Sequence, residues 1–156
     1  MNQILPSHIS VSSSTLMQGD YLPQKYTYEF QHVHPSFSFR GLPLETASIA
    51  IILEKVQESK GVFDHWIIWN MLPTPAIAEG SAQGIHGKNG RGENRYLGPY
   101  EPFGDYYHLQ VFALNEMLSL NEGSGKQELK DAMEGRILAT GFMKAYCKGQ
   151  GQAQNL

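Results

Sequence analysis

The sequence predicts one mostly β domain. Its 156 residues are the size of a single domain that can bury its own core. Only 17% of the residues are charged, against a usual share of about 25%, and 16 glycines with 8 prolines supply many turns. This composition favours short strands and loops over long charged helices. We expect the domain to span residues 1–148 and to be followed by a disordered Gly- and Gln-rich tail at 149–156.

Four segments are predicted as strands. Residues 36–39, Ser-Phe-Ser-Phe, alternate strictly, which predicts a half-buried strand with both phenylalanines inward. Residues 47–53 and 65–72 are apolar runs rich in β-branched or aromatic side chains and bounded by turn residues, as buried strands are. Residues 109–114 form a third apolar run.

One helix and one further strand are predicted after residue 120. Ser124 precedes Gln127 by three residues, the spacing of a capping box, and Gly135 supplies a stop. The apolar face of this helix would consist of Leu129, Ala132 and Met133. Residues 136–146 fit a strand or a buried helix, and we favour the strand.

Composition also excludes several function classes. A net charge of −3 and a pI near 6.0 argue against a basic nucleic-acid-binding domain. The single cysteine, Cys147, excludes an internal disulfide and a cysteine-based zinc site. The first residues lack the pattern of an export signal, and no apolar stretch approaches the ~20 residues of a membrane span. We expect a soluble cytoplasmic protein.

The long Gly- and Pro-rich stretch 74–106 is where a functional site is expected, because long loops in small domains are often functional. His65, at the mouth of a buried strand, could donate a hydrogen bond to an anion or could be a satisfied core histidine; both interpretations stay open. The amides of residues 87–95 could cradle an anion, although a solvated loop is the commoner explanation.

Other candidates for chemistry are weaker. His32 and His34 have a spacing that can hold a metal on a strand, but no third ligand is fixed beside them, so a polar loop is favoured. The tyrosines between residues 96 and 107 could line a pocket or cover a core. No nucleophile motif of the G-x-S-x-G kind is present, and we predict no cofactor and no metal.

Five segments in the same order resemble motifs of the phosphatidylethanolamine-binding protein family, in its small bacterial and archaeal form. The resemblance runs from about residue 9 to residue 147. The segments are Leu22–Thr27 (P-x-x-Y-T), Pro35–Pro43, His65–Asn70 (H-W-x-x-x-N), Gly87–Gly104 (G-x-N…Y-x-G-P…P-x-G) and Leu129–Ala139 (L-x-x-A-M-x-G).

This resemblance implies two packed β-sheets, one or two short helices near the C-terminus and a small anion pocket near the surface. The implied ligands are phosphate esters or phospholipid headgroups, and a kinase or a protease is an implied partner. Small bacterial members are often homodimers. No cofactor is implied.

The chain departs from the family pattern inside the implied pocket. Lys55 and Gln57 stand at the two aspartate positions of the family's D-P-D-A-P motif. The second family histidine falls on Asp105 or Tyr106, and His108 lies two or three positions later. The expected ligand-binding residues are Lys55, His65, Gly98, Pro99, Tyr100, Asp105, Tyr106 and His108.

Three functions follow as hypotheses. The first is a non-catalytic regulator that binds an anion at His65. The second is a protein-interaction module or inhibitor whose pocket is vestigial, as the lost aspartates suggest. The third is a hydrolase with His65 as general base, which is the weakest because the sequence supplies neither a nucleophile nor a metal set.

Overall fold

Two β-sheets and one helix form the described part of the protein. The computed structural model describes residues 7–13, 26, 32–100 and 102–147, so the tail predicted at 149–156 lies outside the described residues. The elements are β1 (Ser7–His8), β2 (Ser10–Ser12), β3 (Phe37–Arg40), β4 (Ser48–Gln57), β5 (Gly61–Met71), β6 (Ala76–Ile77), β7 (Ile85–His86), β8 (Tyr106–Leu114), α1 (Lys126–Met133) and β9 (Ile137–Ala145). The mostly β fold class with two sheets and a short helix near the C-terminus is confirmed.

The large sheet has the strand order β1-β9-β8-β4-β5-β7. Strands β4, β5, β7, β8 and β9 pair antiparallel, and among the described strands only the short β1 joins in parallel, beside β9. The predicted strands at 47–53, 65–72, 109–114 and 136–146 all lie in this sheet, so the choice of strand over helix for the last segment is confirmed.

The small sheet, β2-β3-β6, packs on one face of the large one. Phe37 and Phe39 of β3 are both buried, as their alternation with exposed residues predicts, and they join the core between the sheets. On the large sheet, this core is formed by alternate residues of β4, β8 and β9, such as Ile51, Val111 and Met143. Period-two patterning therefore decides which side chains fill this core.

Helix α1 covers part of the opposite face of the large sheet. Leu129 and Met133 are buried there with Ile67 and Trp69 of β5. The predicted capping residue is wrong by one position: the N-cap is Gly125, whose N–H donates to the Glu128 carboxylate at 2.9 Å. The Ser124 hydroxyl instead donates to the carbonyl of Asn121. Among the described residues, no helix is long and apolar enough to cross a membrane.

Truncation of Leu129 tests whether α1 is held by its apolar face. Leu129 is fully buried, and removing such a side chain typically costs about 2–5 kcal/mol. We expect Leu129→Ala to lower the free energy of unfolding in urea by that amount, and Lys130→Ala, at an exposed neighbouring position, to change it by less than about 0.5 kcal/mol. Equal effects of the two substitutions would contradict this packing.

Candidate ligand site around His65

A β-bulge in the β4–β5 pair positions the site. Leu53 lies opposite Trp66 but Glu54 lies opposite Asp64, so His65 is an extra residue on β5. Because a bulge interrupts strict alternation, His65 and Trp66 both face the core between the sheets. Asp64 lies on the helix-covered face, as strand geometry predicts for a residue next to His65.

The ring of His65 is enclosed and tied to the loop after β7. Its exposed fraction is 1%. Nδ1 donates to the carbonyl oxygen of Leu97 at 2.8 Å, and the Leu97 N–H donates back to the His65 carbonyl at 2.9 Å. The rings of Phe63, Tyr100 and Tyr107 stand edge-on to the imidazole, with centroid distances of 5.0, 5.9 and 5.6 Å.

The second ring nitrogen of His65, Nε2, is buried and has no hydrogen-bond partner among the described residues. The pKa of His65 is lowered to about 4, mainly by burial; the nearby Lys55 also lowers it, and the Leu97 hydrogen bond opposes both. The ring is therefore neutral at pH 7. Since the Leu97 carbonyl can only accept, the proton is on Nδ1 and Nε2 is a hydrogen-bond acceptor. A buried acceptor without a donor costs about 1–3 kcal/mol.

Lys55 supplies positive charge on the same face. It is the cross-strand neighbour of both Phe63 and Tyr107, and its ammonium nitrogen lies 5.3 Å from the centroid of the Phe63 ring. A Cβ at Gly104 would collide with the Lys55 side chain, so a glycine is needed where the loop passes over it. Lys55 on β4 and His65 on β5 therefore lie on the same face of the large sheet.

The loop residues expected in the site divide into two groups. Gly98 and Pro99 are buried between Leu97, which holds His65, and Tyr100, which contacts its ring. Pro99 also lines a small apolar cavity beside Tyr107. Of these three expected residues, Tyr100 contacts the His65 ring, and Gly98 and Pro99 connect Tyr100 to Leu97 along the chain.

The other three expected residues do not face His65. The Asp105 carboxylate accepts from the N–H of Glu58 at 2.8 Å, which ties it to the β4–β5 turn. The Tyr106 ring lies 4.3 Å from the Lys144 ammonium, and His108 packs against Phe142. Alternation along β8 explains the positions of Tyr106 and His108, because Tyr107 faces the core between the sheets and its two neighbours face the other way.

The expected ligand-binding set left out three residues that contact or hold His65: Phe63, Leu97 and Tyr107, although Tyr107 was among the tyrosines that could line a pocket. Tyr107 lies two residues before the buried Leu109 and so shares its face, a signal that was available in the sequence. The Leu97 carbonyl carries no side-chain signal. Burial raises the pKa of Tyr107, whose hydroxyl accepts from the Gly104 N–H at 3.2 Å.

On the opposite face, Lys126 fixes the position of Asp64. Its ammonium lies 2.7 Å from a carboxylate oxygen of Asp64 and 2.7 Å from one of Glu54. Burial disfavours the charge on Lys126, but the hydrogen bonds to these carboxylates outweigh it and raise the pKa. This cluster holds Asp64 away from His65 and so supports the bulge.

Hydrogen bonds of the Asn89 side chain hold the loop 87–95 together. The Asn89 side chain accepts from the N–H groups of Arg91 and Glu93 and donates to the carbonyl of Arg95. These two amides are engaged and do not form an anion cradle. In the described part of the chain, no group of three His, Cys, Asp or Glu side chains could hold a metal ion.

Comparison with known proteins assigns the family. The family model described as phosphatidylethanolamine-binding protein matches residues 12–148. A UPF0098 protein of Pyrococcus horikoshii is 36% identical over 141 residues, which is 83% of this chain and 71% of that protein. A UPF0098 protein of Chlamydia trachomatis is 33% identical over 141 residues, which is 85% of this chain and 93% of that protein.

Solved structures show the same fold. A phosphatidylethanolamine-binding protein homolog of Chlamydia trachomatis has a TM-score of 0.84 at 29% identity, over 92% of this chain and 99% of that one. Escherichia coli YbcL shares the fold at 19% identity, with a TM-score of 0.79 over 92% of this chain and 100% of its own. The chain belongs to the phosphatidylethanolamine-binding protein family.

The neutral state of His65 predicts a pH dependence of stability. The folded pKa, about 4, lies below the ordinary 6.5, so the unfolded chain binds the proton more tightly. The contribution of neutral His65 to the free energy of unfolding is fully present above pH 6.5. It is lost as the pH drops towards 4, and the loss is about 2 kcal/mol at pH 5. Between pH 7.5 and pH 5, we expect the free energy of unfolding in urea to decrease by about 2 kcal/mol less in His65→Asn than in the wild type. The asparagine keeps a donor for the Leu97 carbonyl.

His34 and His86 also have lowered pKa values and contribute a slope to both proteins. The comparison therefore rests on the difference between wild type and variant. Identical pH slopes would show that His65 is not held neutral in the fold.

Proposed function

We propose that this protein binds a small phosphate-bearing molecule, such as a phosphate ester or a phospholipid headgroup, at His65 without turning it over. One observation carries the proposal: the Nε2 atom of His65 is a buried acceptor that no described residue satisfies. Buried polar atoms of native proteins are almost always paired, so an orphan at a family pocket suggests a ligand as its partner.

The state of His65 selects the form of the ligand. A singly protonated phosphate ester offers an O–H to Nε2 and a charged oxygen to Lys55. A fully ionised phosphate would have to bring a proton onto Nε2, because the low pKa of His65 leaves the nitrogen bare. Either way one proton binds with the phosphate, whose own pKa is near 6.

Binding rather than turnover is proposed because of the side chains that surround the imidazole. The described rings in contact with His65 belong to Phe63, Tyr100 and Tyr107, and the nearby charged group is Lys55. None of these is a Ser, Cys or carboxylate nucleophile paired with a base.

A second candidate is a protein-interaction module whose pocket is filled. It is favoured by the edge-on contact of three aromatic rings with His65, which places Tyr100 where a ligand would approach. In that case the ring edges stand in for a ligand, and Tyr100 would be part of a protein-binding surface.

Calorimetry with O-phosphorylethanolamine and inorganic phosphate separates the two candidates. For O-phosphorylethanolamine we expect binding at pH 6 that weakens about 50-fold at pH 8, because the singly protonated fraction of a phosphate ester falls from about one half to about one hundredth. The decrease is smaller for inorganic phosphate, because its second pKa is higher. We expect His65→Asn and Lys55→Gln each to weaken binding about tenfold, as for the loss of one hydrogen bond to a charged group. Lys60→Gln, an exposed lysine in the same hairpin, is the matched control.

Tighter binding at pH 8, or equal binding by the two lysine variants, would contradict the proposal. The absence of heat with both ligands, from a folded protein, would favour the interaction module. Ester hydrolysis that His65→Asn abolishes would show that the protein is an enzyme.

A further inference from the structure

A second cavity lies beside the His65 site, on the Trp66 side of the bulge. Its volume is about 230 Å³, and its walls come from residues 32–34, 80, 82, 86 and 95–96 together with Trp66. This is smaller than the roughly 300–1,000 Å³ of sites for drug-sized ligands. The cavity accommodates a compact molecule.

The hydrogen bonds of two lining histidines define what the cavity can offer. His34 Nε2 accepts from the Ala82 N–H at 3.1 Å, and its Nδ1 donates to the Pro35 carbonyl at 2.8 Å. His86 Nε2 accepts from the Trp66 indole N–H at 3.2 Å, so the proton of its neutral ring is on Nδ1. Neither ring keeps a lone pair for a metal, and His86 offers a donor.

The permanent charge of the cavity comes from Arg95. Burial lowers the pKa values of His32, His34 and His86, which leaves these rings neutral at pH 7. The Arg95 guanidinium is half-exposed and lies 3.1 Å from the Glu93 carboxylate. Arginine holds carboxylates through parallel N–H donors in a planar fork.

Aromatic surface forms another part of the wall. Trp66 is stacked on His34 with ring centroids 4.8 Å apart, and the Tyr96 ring stands edge-on to Trp66 at 5.4 Å. Both Trp66 and Tyr96 are held in place by core packing. Their exposed fractions are 0% and 6%, so the two rings form a rigid floor, and the accessible apolar wall of the cavity comes from the half-buried Val33 and Ala82.

We propose that this cavity binds a small organic carboxylate, with its carboxylate group at Arg95 and the His86 N–H and its apolar body against Val33 and Ala82. The site lies apart from the phosphate site at His65 and does not depend on it. The Glu93 carboxylate competes with the ligand for Arg95. Removal of Glu93 should therefore strengthen carboxylate binding, and removal of Arg95 should weaken it.

Benzoate is the probe, because it combines a carboxylate with a flat apolar body. Titration into ¹⁵N-labelled protein at pH 7 is followed by the indole N–H resonance of Trp66, which bonds to His86. The resonance of Trp69, buried on the opposite face of the sheet, is the internal reference, and Trp69→Phe assigns the two signals. We expect benzoate to shift the Trp66 signal saturably and the neutral isostere benzamide to leave it unchanged.

Three substitutions test whether Arg95 and Glu93 change the dissociation constant of benzoate in opposite directions. We expect Arg95→Gln to raise the dissociation constant about tenfold or more, as for the loss of a hydrogen bond to a charged group. Arg91→Gln is the matched control, because Arg91 also approaches Glu93, at 3.9 Å, but does not line the cavity. Glu93→Gln should lower the dissociation constant by removing the competitor. The remaining amide spectrum reports whether each variant is folded.

The proposal is overturned if benzoate produces no saturable shift of Trp66, if benzamide binds equally well, or if Arg95→Gln and Arg91→Gln bind alike. His65→Asn keeps benzoate binding if the cavity is an independent site. Loss of benzoate binding in a folded His65→Asn protein would place the probe in the phosphate site and overturn the assignment of a second one.

Discussion

The bulge between Asp64 and Trp66 is the constraint on which both proposed sites depend. With regular pairing, His65 would lie on the helix-covered face with Ile67 and Trp69. The extra residue brings His65 and Trp66 together onto the face between the sheets. Lys126 holds Asp64 on one side of the sheet, and the carbonyl of Leu97 holds His65 on the other.

The β4–β5 pair stabilises a charged side chain on its helix-covered face and a neutral one on the face between the sheets. Lys126 stays charged because two carboxylates lie 2.7 Å from it. His65 stays neutral because burial and Lys55 both disfavour its cation, and only a backbone carbonyl opposes them. In the proposed function, a buried neutral imidazole beside a lysine recognises a ligand that carries both a proton and a negative charge. We propose that Lys55 and Gln57, at the positions that the family resemblance gives to two aspartates, change what this pocket binds.

Much of the fold could be predicted from the sequence, because long apolar runs with period-two patterning identify β4, β5, β8 and β9. The two-residue strands β6 and β7 escaped prediction since they exist only through pairing with β3 and β5. His65 could be singled out from its motif.

The geometry of the site was much harder to predict. The bulge depends on the register between strands, and the Leu97 contact spans 32 residues of sequence. The choice among Tyr106, Tyr107 and His108 depends on strand parity, which sequence alignment left uncertain by one residue.

The most direct test is the tautomer of His65, observed through the long-range ¹H–¹⁵N correlations of its imidazole ring. We predict a neutral ring between pH 5.5 and pH 8, protonated at Nδ1 and bare at Nε2, and a proton at or shared with Nε2 once O-phosphorylethanolamine is added. A cationic ring at pH 7, or a neutral ring protonated at Nε2 in the free protein, would contradict the account of the pocket as a buried acceptor awaiting a donor.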